Sequence, residues 1–99
     1  MASEIEVVRI SVEPARADGL IEALQQARRG YLARPACDAV EVLLGESRNE
    51  VAVIITWTSP EAHIRALQGP HSAQFFQQVA AFATDRPDVR KYTSAGGLR

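Results

Sequence analysis

The stretch VAVIITWTSPEAH, residues 51–63, passes from a run of β-branched and aromatic residues into a set of helix-start residues. The run from Val51 to Trp57 has the composition of a β-strand. After it, Ser59 can cap a helix, Pro60 suits the first helical position, and Glu61 complements the helix dipole. The stretch therefore predicts a strand that leads directly into a short helix.

The flanking segments predict the rest of the fold. Ala39–Leu44 is a second β-branched run, and the polar segment GESRNE at residues 45–50 joins the two runs as an antiparallel hairpin. Two more strands are predicted, one at Ile5–Val12 and a weaker one at Asp88–Ser94. Two longer helices are predicted as well: one starts at Arg16 and ends between Gly30 and Pro35, and the other runs from His71 to about Thr84. The order β-α-β-β-α-α-β indicates a ferredoxin-like α+β fold, with helices on one face of an antiparallel sheet.

The segment Val51–Ile55 is apolar at every position, so both faces of its strand are apolar. A sheet with one solvated face should alternate instead. Because the predicted helices cover one face only, we expect an identical sheet from a second copy to cover the other face. This predicts a homodimer of α/β-barrel type; the alternative is a locally hydrophobic strand with a partly exposed face.

Composition narrows the class of protein. The 99 residues suffice for one domain, residues 1–99, and 46% hydrophobic with 23% charged residues is typical of a globular protein. The net charge of −1 offers no basic excess for nucleic acid, and the longest apolar run is too short to span a membrane. A single cysteine, Cys37, allows no internal disulfide, and no signal peptide is visible. We therefore expect a soluble cytoplasmic protein.

His63 and His71 are the only histidines. A metal site needs three or four ligands, and no third one lies at helical spacing, so we expect no metal. A neutral histidine in an apolar pocket can act as a general base, because its unperturbed pKa is about 6.5. The alternative, which is commoner for either residue alone, is that each ring hydrogen-bonds a helix terminus.

Aromatic side chains are the other candidates for a site. Trp57 ends the hydrophobic strand, where an indole is usually part of the core but can also wall a cavity and stack on a flat ligand. Phe75 and Phe76 lie on the predicted third helix, and each can likewise be a core residue or part of a cavity wall.

Residues 51–79 resemble the antibiotic biosynthesis monooxygenase family. The resemblance rests on WTSPEAH at residues 57–63, Leu67, GPH at residues 69–71 and the pair Phe75–Phe76. Members have a strand that ends in Trp, a short helix, and a third helix that begins with Pro-His and bears Phe. Because the chain length, the element order and the expected dimer also agree, the resemblance covers most of the chain. It implies a dimeric α+β barrel, with a pocket between sheet and helices in each subunit.

The resemblance also implies roles for particular residues. Several members oxygenate aromatic polyketides or quinols with O2 and neither metal nor flavin. In the anthrone-oxidising members, a Trp at the strand end and a Tyr six positions later line the site, and these positions are Trp57 and His63 here. An Asn four residues before that Trp corresponds to Val53, so the amide of those enzymes is replaced by an apolar side chain.

A second branch of the family degrades haem with an Asn in the first strand, a Trp in the second helix and a His in the third. The matching positions are Val8, Ala66 and Phe76, none of which has the required side chain. We therefore expect neither haem degradation nor any bound cofactor.

These observations lead to one enzymatic hypothesis and one alternative. The hypothesis is a cofactor-independent monooxygenase that acts with O2 on a small quinol- or anthrone-like aromatic. His63 is the first candidate base and His71 the second, while Trp57 with Phe75 or Phe76 forms the substrate platform. The alternative is a non-catalytic dimeric binding or scaffold protein on the same fold. A large pocket reached by His63 would favour the enzyme, and an interior filled by its own side chains would favour the alternative.

Overall fold

A computed structural model describes residues 3–96 as an α+β fold. The strands are β1 (Glu4–Ser11), β2 (Cys37–Leu44), β3 (Glu50–Trp57) and β4 (Asp88–Thr93), and the α-helices are α1 (Ala17–Leu32), α2 (Pro60–Leu67) and α3 (Pro70–Phe82). This order confirms the predicted β-α-β-β-α-α-β arrangement. None of these helices, over the described residues, is long and apolar enough to cross a membrane.

The four strands form one antiparallel sheet in the order β2-β3-β1-β4. The central strand β3 pairs with β1 on one side and with β2 on the other. At its end, Trp57 lies opposite Glu4 of β1 and Cys37 of β2. The register therefore brings the start of β1 to the point where the chain enters α2.

The core lies between the helices and one face of the sheet. Alternate residues of β3 are buried there: Val51, Val53, Ile55 and Trp57. Leu20 and Leu24 of α1 and Val79 of α3 belong to the same buried cluster. Each fully buried aliphatic side chain stabilises the fold by about 1.5–3 kcal/mol.

The opposite face of the sheet carries a second apolar surface, which we call the outer face. Ile54 of β3 lies next to Val7 of β1, and both side chains are only partly buried. Farther out, Leu43 of β2 and Tyr92 of β4 are 40% and 52% exposed. Within residues 3–96 every helix packs on the other side. The two-sided apolar character predicted for β3 is thus present in the structure.

The helix α1 ends at Leu32, between Gly30 and Pro35 as predicted, whereas the ends of β1 and α3 shift slightly. Gly30 itself is a contact position inside α1. A Cβ atom there would lie 3.0 Å from Nδ1 of His71. β1 ends at Ser11, whose carbonyl accepts a hydrogen bond from the Thr84 amide, and α3 ends at Phe82.

The start of α2 follows the sequence prediction. Oγ of Ser59 accepts a hydrogen bond from the Ala62 amide at 3.1 Å, Pro60 occupies the first turn, and Glu61 is the acidic residue there. The cap fixes which face of the helix turns inward. His63 points into the protein, whereas Ile64 is 55% exposed.

Candidate active site

His63 and Trp57 form a stacked pair in the interior. Their ring centroids are 4.8 Å apart and their planes differ by 7°. The imidazole is 1% exposed and the indole 2%. Trp57 ends β3 and His63 lies one turn into α2, so the capped turn between them folds one ring over the other. The structure thus brings together two of the residues that the sequence singled out.

Two carboxylates of β1 enclose the imidazole. Nδ1 of His63 lies 3.1 Å from Oε2 of Glu4, and Nε2 lies 3.3 Å from Oε1 of Glu6. The same Glu6 oxygen accepts a hydrogen bond from Nε1 of Trp57 at 3.2 Å. Glu4 and Glu6 are adjacent positions of one strand face, so the pleat of β1 directs both side chains under the helices.

The two ring nitrogens of His63 are not equivalent. An ionised carboxylate only accepts hydrogen bonds, so Nδ1 carries the proton that is donated to Glu4. Nε2 is close to Glu6 but not aligned with it, and it is the one buried side-chain polar atom among residues 3–96 without a hydrogen-bond partner. Nε2 is therefore the nitrogen available to exchange a proton.

Tyr31 and Phe75 form the next layer. Tyr31 of α1 contacts Trp57 edge to face, with centroids 5.6 Å apart, and contacts Phe75 of α3 at the same separation. Burial raises the pKa of Tyr31 to about 12, partly opposed by a hydrogen bond with Ser72. The phenol is therefore neutral at physiological pH and acts as an uncharged wall.

His71 lies in a different environment from His63. With Gly30 and Phe75 it lines an open groove of about 220 Å³ between α1 and α3, which we call the α1–α3 groove. The remaining lining residues are Gln26, Ala27, Gln74 and Gln78. Phe75 touches both this groove and Tyr31, so it separates the groove from the Trp57–His63 pair.

The other residues proposed for the substrate lie apart from the stacked pair. Val53 is buried on the helix-covered face of β3, four residues from Trp57, which is about 13 Å along a strand. Phe76 is partly buried and contacts Phe75 edge to face at 5.0 Å.

A second cavity, of about 210 Å³, lies between α2 and the connection from α1 to β2. Neither this cavity nor the α1–α3 groove is lined by Trp57 or His63. The large pocket expected around His63 is therefore not open in the described residues, because side chains fill that space. Of the two outcomes set out from the sequence, this filled interior is the one associated with the non-catalytic alternative, and the enzymatic hypothesis requires buried side chains to move before a substrate can reach His63. Nor does any group of three or more His, Cys, Asp and Glu in residues 3–96 have the arrangement of a metal site.

Sequence reasoning did not place Glu4 and Glu6 at the site. The available signal was two acidic residues, spaced by two, at the start of a largely apolar strand. The contact of Tyr31 with Trp57 depends on the packing of α1 across β3, which no local pattern specifies.

Comparison with known proteins places this geometry in a family. The sequence model of the family described as antibiotic biosynthesis monooxygenase matches residues 5–78. None of the curated protein sequences compared matches this chain significantly.

Solved structures with the same fold share little sequence with the chain. Rv0793 from Mycobacterium tuberculosis is 15% identical, with a TM-score of 0.85 over 98% of this chain and 99% of that one. A protein provisionally named an antibiotic biosynthesis monooxygenase, from Nitrosomonas europaea, is 12% identical, with a TM-score of 0.83 over 94% and 90% of the chains. A "conserved protein of unknown function" from Bacteroides thetaiotaomicron, described as a "possible oxidoreductase", is 18% identical, with a TM-score of 0.84 over 94% and 98%. At these identities the likeness shows the fold alone.

Proposed function

The chain belongs to the antibiotic biosynthesis monooxygenase family, and we propose that it is a cofactor-independent monooxygenase of a small, electron-rich aromatic substrate. The substrate class is an anthrone or a quinol. Support comes from the family match and from the names of similar folds, of which one is provisionally called a monooxygenase and another a possible oxidoreductase.

The proposed reaction needs no external reductant. Loss of a proton converts the anthrone methylene, or a quinol hydroxyl, into a carbanion or phenolate that can pass an electron to O2. For an anthrone, recombination gives a hydroperoxide, which loses water to leave a carbonyl. The methylene becomes C=O, one oxygen atom enters the product and the other leaves as water. The protein has to remove the proton, exclude water and position the ring.

The observation that carries this proposal is the unpartnered Nε2 of His63 in a buried cluster. Nδ1 is already engaged by Glu4, which fixes the ring and leaves Nε2 to take the substrate proton. The Glu6 carboxylate, 3.3 Å away, would stabilise the imidazolium that results. His63 is thus the proposed base, Glu4 its positioning residue, and Trp57 the flat surface beside it.

The substrate enters, in this proposal, from the α1–α3 groove. Phe75 and Tyr31 lie between that groove and Trp57, so both rings would have to move to open a path toward Trp57. His71 would then contact the substrate at the entrance rather than remove its proton. Val53 is assigned no direct contact with the substrate.

We also propose that the outer face of the sheet is covered by a second copy of the chain. Its partly buried Ile54 and Val7 and its exposed Tyr92 are apolar, and Glu41 and Arg90 lie beside Ile54 and Val7 in the register of the same face. Light scattering should give about twice the chain mass of 10.8 kDa. Ile54→Asp should produce monomers, whereas Ile64→Asp, on the exposed side of α2, should leave the dimer intact. A monomeric wild-type protein would contradict the proposed interface.

Oxygen uptake with a panel of anthrones and quinols, in the presence of a chelator, tests the activity directly. The expected result is one O2 consumed per anthrone, with formation of the quinone. Trp57 is the single tryptophan, so its fluorescence reports binding separately from turnover. Quenching by the panel without oxygen uptake would support the non-catalytic alternative, and uptake that requires added metal or flavin would refute cofactor independence.

A further inference from the structure

The cavity beside α2 has the composition of a binding site for an anion. Its lining residues are Arg34, Pro35, Ala36, Ala62, Arg65 and Ala66, and we call it the arginine cavity. Arg34 and Arg65 are its only charged residues, and both are cationic. Neither has a carboxylate within 4 Å among residues 3–96, although Glu61 lies one helical turn before Arg65.

The floor of the cavity is apolar and rigid. Ala62 and Ala66 are buried residues of α2, spaced by one helical turn, and they present methyl groups to the same space. Ala36 and Pro35 close the side formed by the connection to β2. This connection is fixed at both ends, because the Arg34 amide donates to Tyr31 and the Thr58 amide donates to Ala36.

The Arg34 guanidinium lies against Gly69, just beyond the end of α2. A Cβ atom at Gly69 would lie 3.2 Å from Nη1 of Arg34 and 3.4 Å from the Ala66 carbonyl oxygen. Gly69 therefore permits the guanidinium to approach the C-terminal end of α2, where a cation is favoured.

We propose that the arginine cavity binds a compact aromatic carboxylate. The two guanidinium groups would hold the carboxylate, since arginine matches its geometry with paired N–H donors. The alanine floor would contact the ring. A cavity of about 150 Å³ can hold benzene, so about 210 Å³ fits one ring with its carboxylate. This site is separate from His63 and does not depend on the proposed oxidation.

Calorimetric titration of the full chain with benzoate tests the site. The expected result is saturable binding of one benzoate per chain. Benzyl alcohol has the ring without the charge, and inorganic phosphate has the charge without the ring. Each should bind at least about tenfold more weakly than benzoate, because each lacks either the carboxylate or the aromatic ring.

Variants separate this site from general attraction to a basic surface. Arg34→Gln and Arg65→Gln should each weaken benzoate binding by about tenfold or more, whereas Arg29→Gln, an equal change of charge on the exposed side of α1, should not. Ala36→Leu should block binding by filling the cavity while leaving the fold intact, as checked by thermal unfolding. Absence of saturable binding, an equal effect of Arg29→Gln, or equal affinity for benzyl alcohol would each overturn the proposal.

Discussion

His63 and His71 both lie near the start of a helix, yet their surroundings make them chemically different. His63 is enclosed by a tryptophan ring and two carboxylates, and its Nε2 has no hydrogen-bond partner in the described residues. His71 is partly exposed and faces a groove lined largely by glutamine amides. The difference arises from the opposing element. The strand β1 supplies acidic side chains to α2, whereas α1 presents Gly30 to α3.

Tyr31 and Phe75 connect the two histidine regions. Tyr31 contacts the indole on which His63 stacks, and Phe75 contacts Tyr31 and lines the groove of His71. A substrate that used both regions would have to displace these rings. Substitutions at the two histidines, and at the residues between them, should therefore differ in their effects on turnover and on stability.

The largest expected effect is on turnover. His63→Gln should lower the rate of oxygen uptake by about 10²- to 10⁴-fold, the usual loss when a general base is removed. The glutamine retains a hydrogen-bonding group toward Glu4, which limits damage to the fold. His71→Ala, the matched comparison, removes only a contact at the entrance, so it should raise KM while changing kcat by no more than about twofold. If His71→Ala had the greater effect, the assignment of the base to His63 would be wrong.

The next effect is on stability. His63→Ala leaves Glu4 buried without its partner, and breaking a buried pair in this way typically costs about 3–5 kcal/mol of the free energy of unfolding. His71→Ala should cost less than about 1 kcal/mol, because its ring is partly exposed. Urea denaturation of both variants measures the difference.

A second substitution tests the cause of that loss. Adding Glu4→Gln to His63→Ala removes the unpaired carboxylate and should restore part of the stability. Equal losses in the two histidine variants, or no recovery in the double variant, would show that the Glu4–His63 contact contributes little.

Much of this fold follows from local sequence, and the site follows only in part. Ser59 was recognisable as a cap, and the burial of Trp57 was predictable from its place at the end of an apolar strand, because both signals lie within a few residues. The Glu4–His63 contact joins residues 59 positions apart and depends on the register between β1 and β3. No local pattern specifies that register.

Gly30 has a second role that local sequence does not show. A glycine near the end of an amphipathic stripe usually marks a helix terminus, and α1 does end two residues later, at Leu32. The missing side chain also leaves room for His71, which belongs to a helix that begins 40 residues later. This contact joins two helices that are distant in the sequence, so the residues around Gly30 do not predict it.

A smaller effect on stability is expected from the ionisation of Tyr31, which lies between the surroundings of His63 and those of His71. Because its pKa is raised to about 12, the folded protein holds the phenolic proton more tightly than the unfolded chain, in which tyrosine has a pKa of about 10. This contribution to stability is fully present below pH 10 and is lost as the pH rises from 10 to 12.

The measurement is urea denaturation over that range of pH. The stability of the wild-type protein should fall more steeply than that of Tyr31→Phe, which has no proton to lose at this position. Parallel pH profiles for the two proteins would indicate that Tyr31 ionises freely and is not enclosed as the structure indicates.

The smallest expected effect on the free energy of unfolding is that of Gly30→Ala. Whether this substitution stabilises or destabilises the protein depends on His71. Alanine in a helix interior is favoured over glycine by about 1 kcal/mol. The added Cβ atom would lie 3.0 Å from Nδ1 and 3.3 Å from Cε1 of His71, which is too close without a small movement of the ring. Because His71 faces an open groove, its ring can move, so we expect a net stabilisation of less than about 1 kcal/mol.

In the double variant Gly30→Ala, His71→Ala the imidazole ring is absent. The full stabilisation of about 1 kcal/mol relative to His71→Ala should then appear. A net loss in the single variant, with recovery in the double, would show that the His71 ring is held rigidly. In that case the two histidines would resemble each other more closely than their exposure suggests.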